Sequence, residues 1–189
     1  MTTTTTTALD TASQPARWTL DASHTSVGFT VRHMMITNVR GELGSVAGEV
    51  VFDPKNLGAA KVRATIDVAS INTREAKRDE HLRSADFFDV ESHPQMVFES
   101  REVRAKGDGY EIVGDLTIRG TTREVVLSVD DVTREHTDPW GNKRIGASAK
   151  GKIRRSEFGM TWNTALEAGG VLVSDEVKIH IEASLIKQA

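Results

Sequence analysis

Apolar and polar residues alternate with a period of two along most of the chain from residue 17 onward. This alternation predicts β-strands with one apolar face, because successive side chains of a strand point to opposite sides. In TSVGFTVRH (25–33), for example, Val27, Phe29, Val31 and His33 share one face. Nine segments follow this pattern, 18–21, 25–33, 39–53, 61–71, 96–103, 110–120, 123–132, 144–153 and 175–186, and we expect them to form about eight strands.

Interruptions of this pattern predict the other elements. A slip in the alternation at Gly44 and Ser45 indicates a bulge or the end of a strand. The segment 73–88 favours an α-helix, with Thr73 as a candidate N-cap and Glu75 close behind it, and 154–160 favours a short second helix. Antiparallel strands at regular spacing with one inserted helix are typical of an all-β sandwich or closed barrel.

The apolar face mixes bulky and small residues. An eight-stranded barrel is wide enough either to be filled by its side chains or to hold one small ligand. The small residues on this face are Gly48, Ala64, Gly114, Ala147, Ala149, Gly151 and Ala183. They indicate either an apolar cavity or a tightly coiled sheet filled by side chains such as Leu82, Phe87 and Phe88.

Composition narrows the class of protein. The 189 residues carry a formal net charge of −3 with no concentrated basic stretch, which argues against nucleic acid as a partner. The chain has no cysteine, so disulfides and thiolate sites are excluded. We expect residues 1–16, rich in threonine, to be a disordered tail and residues 17–189 to form one domain. The first residues lack a secretory signal pattern and no segment resembles a membrane span, so we expect a cytoplasmic protein without an integral membrane segment.

The histidines do not predict a metal site. His24 and His33 would lie on opposite faces of one strand, so they cannot bind the same ion. His81 lies on the predicted helix, His93 and His136 are expected in loops, and His180 lies on an outward face. Asp79 and His81 could form an acid/base pair, but hydrogen bonds that hold the helix to the barrel are the alternative. We predict neither a metal nor a cofactor.

Polar and aromatic residues near the ends of the inward face are candidates for a head-group site. His33 would lie at a rim, and Arg155, with Arg154 beside it, directly precedes Ser156, a possible first residue of the short helix. Guanidinium groups there could meet a phosphate or a quinone oxygen, or pair with a carboxylate. Phe158 and Trp162 would line the mouth or plug it.

Four blocks of sequence, in this order and spacing, resemble the YceI family of lipid-binding proteins. They are WTLDASHTSVGFTVRH (18–33) with Val39 and Gly41, RDEHLRSADFF (78–88) with HPQMVFES (93–100), GDLTIRGTTREV (114–125), and DPWGNKRIGASAKGKIRRSEFGMTWN (138–163). The resemblance implies an eight-stranded antiparallel lipocalin-like barrel whose tunnel holds a polyisoprenoid chain, such as an isoprenoid quinone or a polyprenyl phosphate. Members are often exported, which this sequence does not indicate, and Ala147 stands where an aromatic residue is common.

We therefore expect a non-enzymatic protein that binds, stores or transports a long-chain isoprenoid lipid. The predicted ligand-binding residues are Phe29, Val31, His33, Ile66, Val68, Phe98, Leu116, Ile118, Ile145, Arg155, Phe158, Trp162, Ile179 and Ile181. Two alternatives stay open: an enzyme that uses His33 or the Asp79 and His81 pair on an apolar substrate, and a filled barrel with partners on its outside. The sequence also leaves open a homodimer formed through a sheet edge.

Overall fold

The computed structural model describes residues 15–53, 56–167 and 169–189. Its strands are β1 (Ala16–Leu20), β2 (Ser26–His33), β3 (Thr37–Leu43), β4 (Val46–Phe52), β5 (Lys61–Asp67), β6 (Ile71–Asn72), β7 (Gln95–Lys106), β8 (Gly109–Ile118), β9 (Thr121–Asp130), β10 (His136–Thr137), β11 (Lys143–Arg154) and β12 (Val173–Lys187). One α-helix, α1 (Ala76–Arg83), and three 3-10 turns (Leu57–Ala59, Val68–Ser70 and Arg155–Phe158) complete the described part.

The strands close into a ring. The ring runs β11, β9, β8, β7, β5, β4, β1 and β12, and β12 pairs back onto β11. One edge of β12 pairs with β2 along most of its length and with β1 near its end, so β1 and β2 act as two halves of one interrupted strand. All of these pairings are antiparallel. The prediction of an eight-stranded antiparallel barrel is therefore confirmed.

Most predicted interruptions occur where the alternation breaks. Strand β3 ends at Leu43 and β4 begins at Val46, as the slip at Gly44 and Ser45 predicted. The hairpin between β8 and β9 turns at Arg119 and Gly120, both with positive φ. The short second helix is the 3-10 turn at 155–158.

The helix is shorter than predicted. Helix α1 covers Ala76–Arg83 rather than 73–88, and its N-cap is Glu75, whose carboxylate accepts hydrogen bonds from the backbone of Lys77 and Arg78. Thr73 is not the cap, because its hydroxyl donates to Asp79 instead. In addition, His136 was expected in a loop and lies in the two-residue strand β10.

Residues 1–14 lie outside the described part of the chain, so the expected disordered tail stays a prediction. Among the described residues, no helix has the length and apolar character needed to cross a membrane.

The two ends of the barrel differ. One end carries residues 68–94, with α1, and residues 155–167 and 169–172, and we call it the helical end. At the opposite end, the Arg144 guanidinium donates to the carboxylates of Asp21 and Asp138, at 2.6 and 2.7 Å. This ion-pair network ties the turn after β1 to the turn before β11.

Candidate functional site

The barrel encloses an apolar cavity of about 440 Å³, which falls within the usual range of small-molecule sites, roughly 300–1,000 Å³. Its wall is formed by side chains of all the barrel strands together with β2, β3 and residues of the helical end. The exposed residue Lys77 of α1 also lines the cavity, so the cavity reaches the surface at the helical end. The barrel is therefore hollow, and its opening lies beside α1.

The glycines of the inward face do not create this space. A side chain at Gly48 would meet Leu20, one at Gly114 would meet Phe98, and one at Gly151 would meet Leu127, each within 2.8 Å. These bulky neighbours occupy the room that the glycines leave. Of the seven small residues singled out in the sequence, Ala64 alone lines the cavity.

Most predicted wall residues do line the cavity. Those that do are Phe29, Val31, His33, Ile66, Phe98, Leu116, Ile118, Arg155, Trp162, Ile179 and Ile181. Antiparallel pairing explains part of this set, because Phe29 lies opposite Ile179, and Phe98 opposite Leu116. Their contact with a ligand stays a prediction.

Three predicted residues do not line the cavity. Val68 and Phe158 lie in 3-10 turns and are each 1% exposed, so both side chains are packed inside the core. Ile145 shares the face of Ile153 on β11, but it lies eight residues earlier, about 26 Å along the strand. It therefore lies beyond the cavity, near the end of the barrel that carries the Arg144 ion pairs.

Sequence reasoning missed many wall residues, of two kinds. The first kind lies on strands, where the alternation of inward and outward side chains alone could have identified them. These residues are Val27, Val39, Leu43, Val125, Leu127, Ile153 and Val177. Others come from the helical end, namely Lys77, Arg78, Met160 and Leu172. Leu82, Phe87 and Phe88, which the sequence offered as side chains that fill the barrel, line the cavity as well. The alternation rule applies only to strands and gives no information about irregular segments. The residues that line the mouth were therefore poorly predicted.

Arg155 is the buried charge of the site. It is 5% exposed, and its guanidinium donates to the carbonyl oxygens of Ser174, Met160, Trp162 and Val173 at 2.6 to 3.3 Å. Burial lowers the pKa of Arg155, although the negative charge of Asp175 opposes this effect. A guanidinium has five N–H donors, and within the described ranges the fifth has no acceptor. Four donors therefore hold the side chain against the backbone, and the guanidinium lines the cavity.

Three rings stand beside Arg155 at the mouth. The His81 ring packs edge-on against Phe87 and Trp162, with centroids 5.1 and 4.7 Å apart. The Arg155 guanidinium lies 6.0 Å from the Phe87 centroid. Because His81 and Trp162 also line the cavity, the mouth combines flat apolar surfaces with polar edges.

Asp79 and His81 have separate partners. Asp79 accepts hydrogen bonds from the backbone N–H and the hydroxyl of Thr73, whereas His81 Nε2 lies 2.9 Å from a carboxylate oxygen of Asp86. Arg78 also donates to the hydroxyl and carbonyl of Thr73. Asp79 and Arg78 therefore hold α1 to the chain directly before it rather than to a barrel strand, and His81 does not share in these bonds.

The other histidines are spread over the molecule. His24 lies in the turn before β2, where Nδ1 is 2.8 Å from Asp21. His93 precedes β7, and its ring packs beside Gly120. His180 is exposed on β12, and its ring packs on the outer side of Gly28. His33 ends β2 and lines the cavity.

A closed antiparallel barrel around an apolar cavity, open at one end, defines a lipocalin-like binding fold. The chain matches the family described as YceI-like domain over residues 18–185. It is 39% identical to a UPF0312 protein of Pectobacterium carotovorum subsp. carotovorum, over 89% of this chain and 84% of that protein. It is 41% identical to a UPF0312 protein of Serratia proteamaculans, over 73% of this chain and 71% of the relative. The chain belongs to the YceI family.

Solved structures agree on the fold. BcnA of Burkholderia cenocepacia superposes with a TM-score of 0.75 at 25% identity, covering 87% of this chain and 98% of BcnA. The YCEI protein of Campylobacter jejuni gives 0.70 at 30% identity, covering 83% and 90%. A polyisoprenoid binding domain of Saccharophagus degradans gives 0.63 at 14% identity, covering 90% and 98%, a likeness that concerns the fold alone.

Proposed function

We propose that this protein binds an isoprenoid lipid, with the hydrocarbon chain in the barrel and the polar head at the helical end. The observation that carries the proposal is the polarity of the cavity. Its strand-lined part is apolar, whereas Lys77, Arg78, His81 and Arg155 meet it at the mouth. A ligand that fits this distribution is a long hydrocarbon with one polar end.

Hydrocarbon burial would supply most of the affinity. Each buried methylene contributes about 0.8 kcal/mol, so a chain of several isoprene units gains many such contributions. The rigid, closed barrel limits the conformational cost of binding on the protein side. The choice of an isoprenoid over another hydrocarbon follows the resemblance of the sequence to the YceI family, and a domain of the same fold from Saccharophagus degradans is described as polyisoprenoid binding.

The mouth favours an oxygen-bearing head group. Arg155 is positively charged, buried and bonded only to backbone carbonyl oxygens in the described structure, so its charge is not neutralised by a salt bridge. A phosphate would receive a charge-assisted hydrogen bond there, and a quinone oxygen would receive a neutral-acceptor bond. Of the two predicted ligand types, the site therefore favours polyprenyl phosphate over isoprenoid quinone.

Paired lipids test both parts of the proposal. A polyprenol and a polyprenyl phosphate of equal chain length would be titrated into the delipidated protein. Both should bind, and the phosphate should bind about tenfold to a hundredfold more tightly, since hydrogen bonds to charged groups contribute roughly 1.5–3 kcal/mol. Failure of both lipids to bind would refute the lipid-binding function, and equal affinities would refute the head-group assignment.

The variant Arg155→Gln tests whether the head group of the lipid binds at Arg155. This variant should lose most of the preference for phosphate and keep its affinity for the polyprenol. Arg154→Gln is the matched control, because Arg154 is the exposed neighbour and does not line the cavity. Storage or transport of the lipid, and a cytoplasmic location, remain parts of the proposal, and cell fractionation would test the location.

A further inference from the structure

The hairpin between β2 and β3 presents apolar side chains to solvent. Met34, Met35 and Ile36 are 41%, 55% and 68% exposed, and Val171, on the facing segment, is 37% exposed. We call these four residues the apolar tip. The Met34 N–H donates to the Leu172 carbonyl at 2.8 Å, so the hairpin and that segment form one surface. Four of the seven large hydrophobic residues exposed in the described structure belong to it.

The turn itself is made of unfavourable residues. Met34 and Met35 have φ of +51° and +59°, and the Ile36 N–H donates to the His33 carbonyl at 3.0 Å. Positive φ at both central positions is the geometry of a type I′ turn, which strongly favours Asn-Gly. Methionine at these positions is strained and, in addition, exposed to water. This turn has residues that its backbone geometry disfavours, and it exposes apolar side chains where a surface is usually polar. Two such costs at one place indicate a functional surface.

The apolar tip is continuous with the mouth of the cavity. His33 precedes it and Leu172 and Val173 follow Val171, and all three line the cavity. A lipid leaving the barrel at this end would pass beside the tip. Basic side chains flank the same end: Arg32 donates to Asn38, Arg78 donates to Thr73, and Lys77 stands exposed at the mouth. The partners of the two arginines are neutral, so their charge remains available to anionic groups.

We infer that the apolar tip inserts into the surface of a lipid bilayer and places the mouth against it for lipid exchange. The exchange role rests on the proposed function, whereas the docking itself does not. Exposed apolar side chains bind membrane interfaces mainly through hydrophobic burial. Arg32, Lys77 and Arg78 add attraction to anionic lipids at this end, which also carries exposed carboxylates such as Glu75 and Glu80. Four side chains are far fewer than the roughly 20 residues a side of a stable protein interface, which favours a membrane over a second copy.

Vesicle flotation of the full chain tests the docking. The vesicles contain phosphatidylcholine and phosphatidylglycerol in a 3:1 ratio. The double variant Met34→Asn, Met35→Gly installs the residues that the turn prefers, so it should fold at least as stably as the wild type. We expect its partition onto vesicles to fall at least tenfold. Ile36→Asn, at a position with ordinary φ, should give a loss in the same direction.

Trp140→Ser is the matched control. Trp140 is the most exposed large hydrophobic residue described, at 81%, and its turn lies at the end of the barrel opposite the mouth. Its replacement should leave vesicle binding within threefold of the wild type. Docking at the mouth is overturned if the wild type does not float with vesicles, if the tip variants bind as well as the wild type, or if only Trp140→Ser loses binding. It is also overturned if the tip variants dissociate a dimer seen by sedimentation without vesicles.

Uptake without vesicles separates this inference from the proposed function. The same samples would take up polyprenyl phosphate from an ethanol dispersion. Equal uptake by wild type and tip variants, with vesicle binding and vesicle-to-protein transfer reduced in the variants, supports docking. Absent uptake by the wild type counts against the lipid-binding function, and intact uptake with no vesicle binding counts against docking alone.

Discussion

The ring of Phe29 occupies the space where a side chain at Gly41, its cross-strand partner, would lie. A β-carbon at position 41 would come within 2.3 Å of Phe29 Cζ and 2.9 Å of Thr73 Cγ2. The glycine therefore fixes where the Phe29 ring packs, and Phe29 in turn forms part of the cavity wall.

Gly41→Ala should displace this ring. We expect a loss of about 1–3 kcal/mol in the free energy of unfolding, the usual effect of overpacking a well-packed core, together with weaker lipid binding. Denaturant unfolding and lipid titration would measure the two effects. Gly146→Ala on β11 is the control, because its nearest neighbour would be 3.5 Å away, an ordinary contact. Equal stability of the two variants would contradict the proposed packing.

Ala64→Leu should fill part of the cavity. Ala64 is the small residue whose side chain faces the open space, so a larger side chain there competes with the ligand for volume. We expect lipid affinity to fall at least tenfold while the melting temperature stays the same or rises. Ala47→Leu, at an exposed position on the neighbouring strand β4, should leave affinity unchanged. If Ala64→Leu bound the lipid like the wild type, the cavity would not be the binding site.

Asp79→Ala should loosen α1. Asp79 is 7% exposed and accepts two hydrogen bonds from Thr73, which is 5% exposed. Hydrogen bonds to charged groups contribute roughly 1.5–3 kcal/mol, so we expect a destabilisation of that size. Hydrogen exchange should accelerate mainly over residues 73–83. Glu80→Ala, at the exposed neighbouring position, serves as the control, and matching exchange profiles in the two variants would refute the anchoring role.

Acid should weaken the end of the barrel opposite the mouth. Burial by itself raises the pKa of Asp138, but hydrogen bonds from Arg144 and Asn142 outweigh it and lower the pKa to about 2. The Ser23 hydroxyl, Arg144 and His24 lower the pKa of Asp21 well below its usual range. Both carboxylates bind protons more tightly when unfolded, so their stabilisation is present above about pH 4 and decreases as the pH falls to 2 and below.

The variant Arg144→Gln should reduce the dependence of the free energy of unfolding on pH. Denaturant midpoints measured between pH 2 and pH 7 should converge for wild type and variant at the acid end and diverge above about pH 4. Arg63→Gln is the control, because its ion pair with Glu99 is largely exposed and such pairs contribute little. A constant difference between wild type and Arg144→Gln across the whole range would contradict the assignment.

Much of the fold was predictable because its strands obey one rule. The alternation at Val27, Phe29 and Val31 continues across β3 and β12, where the same face recurs in register. The hollow interior was not predictable from residue size. Gly114 and Gly151 indicated room, yet the side chains of Phe98 and Leu127 fill it. Which residue covers a glycine depends on strand register and rotamer, which a single sequence does not specify.

The mouth was harder to predict for a physical reason. Arg155 was identified because of its position beside a short helix, but two of its four carbonyl partners, Met160 and Trp162, come from a segment without regular periodicity, and the other two lie at the very start of β12. Phe158 was placed on the site and lies instead in the core, because the 3-10 turn directs it inward. Irregular backbone decides both outcomes, and hydrophobic pattern carries little information about it.

Native mass spectrometry of the protein purified from its own source tests the central claim most directly. The folded protein should carry a mass excess that disappears on denaturation and fragments as a prenyl chain. Repeated detection of the bare chain mass, together with no uptake of added menaquinone or polyprenyl phosphate, would contradict the account.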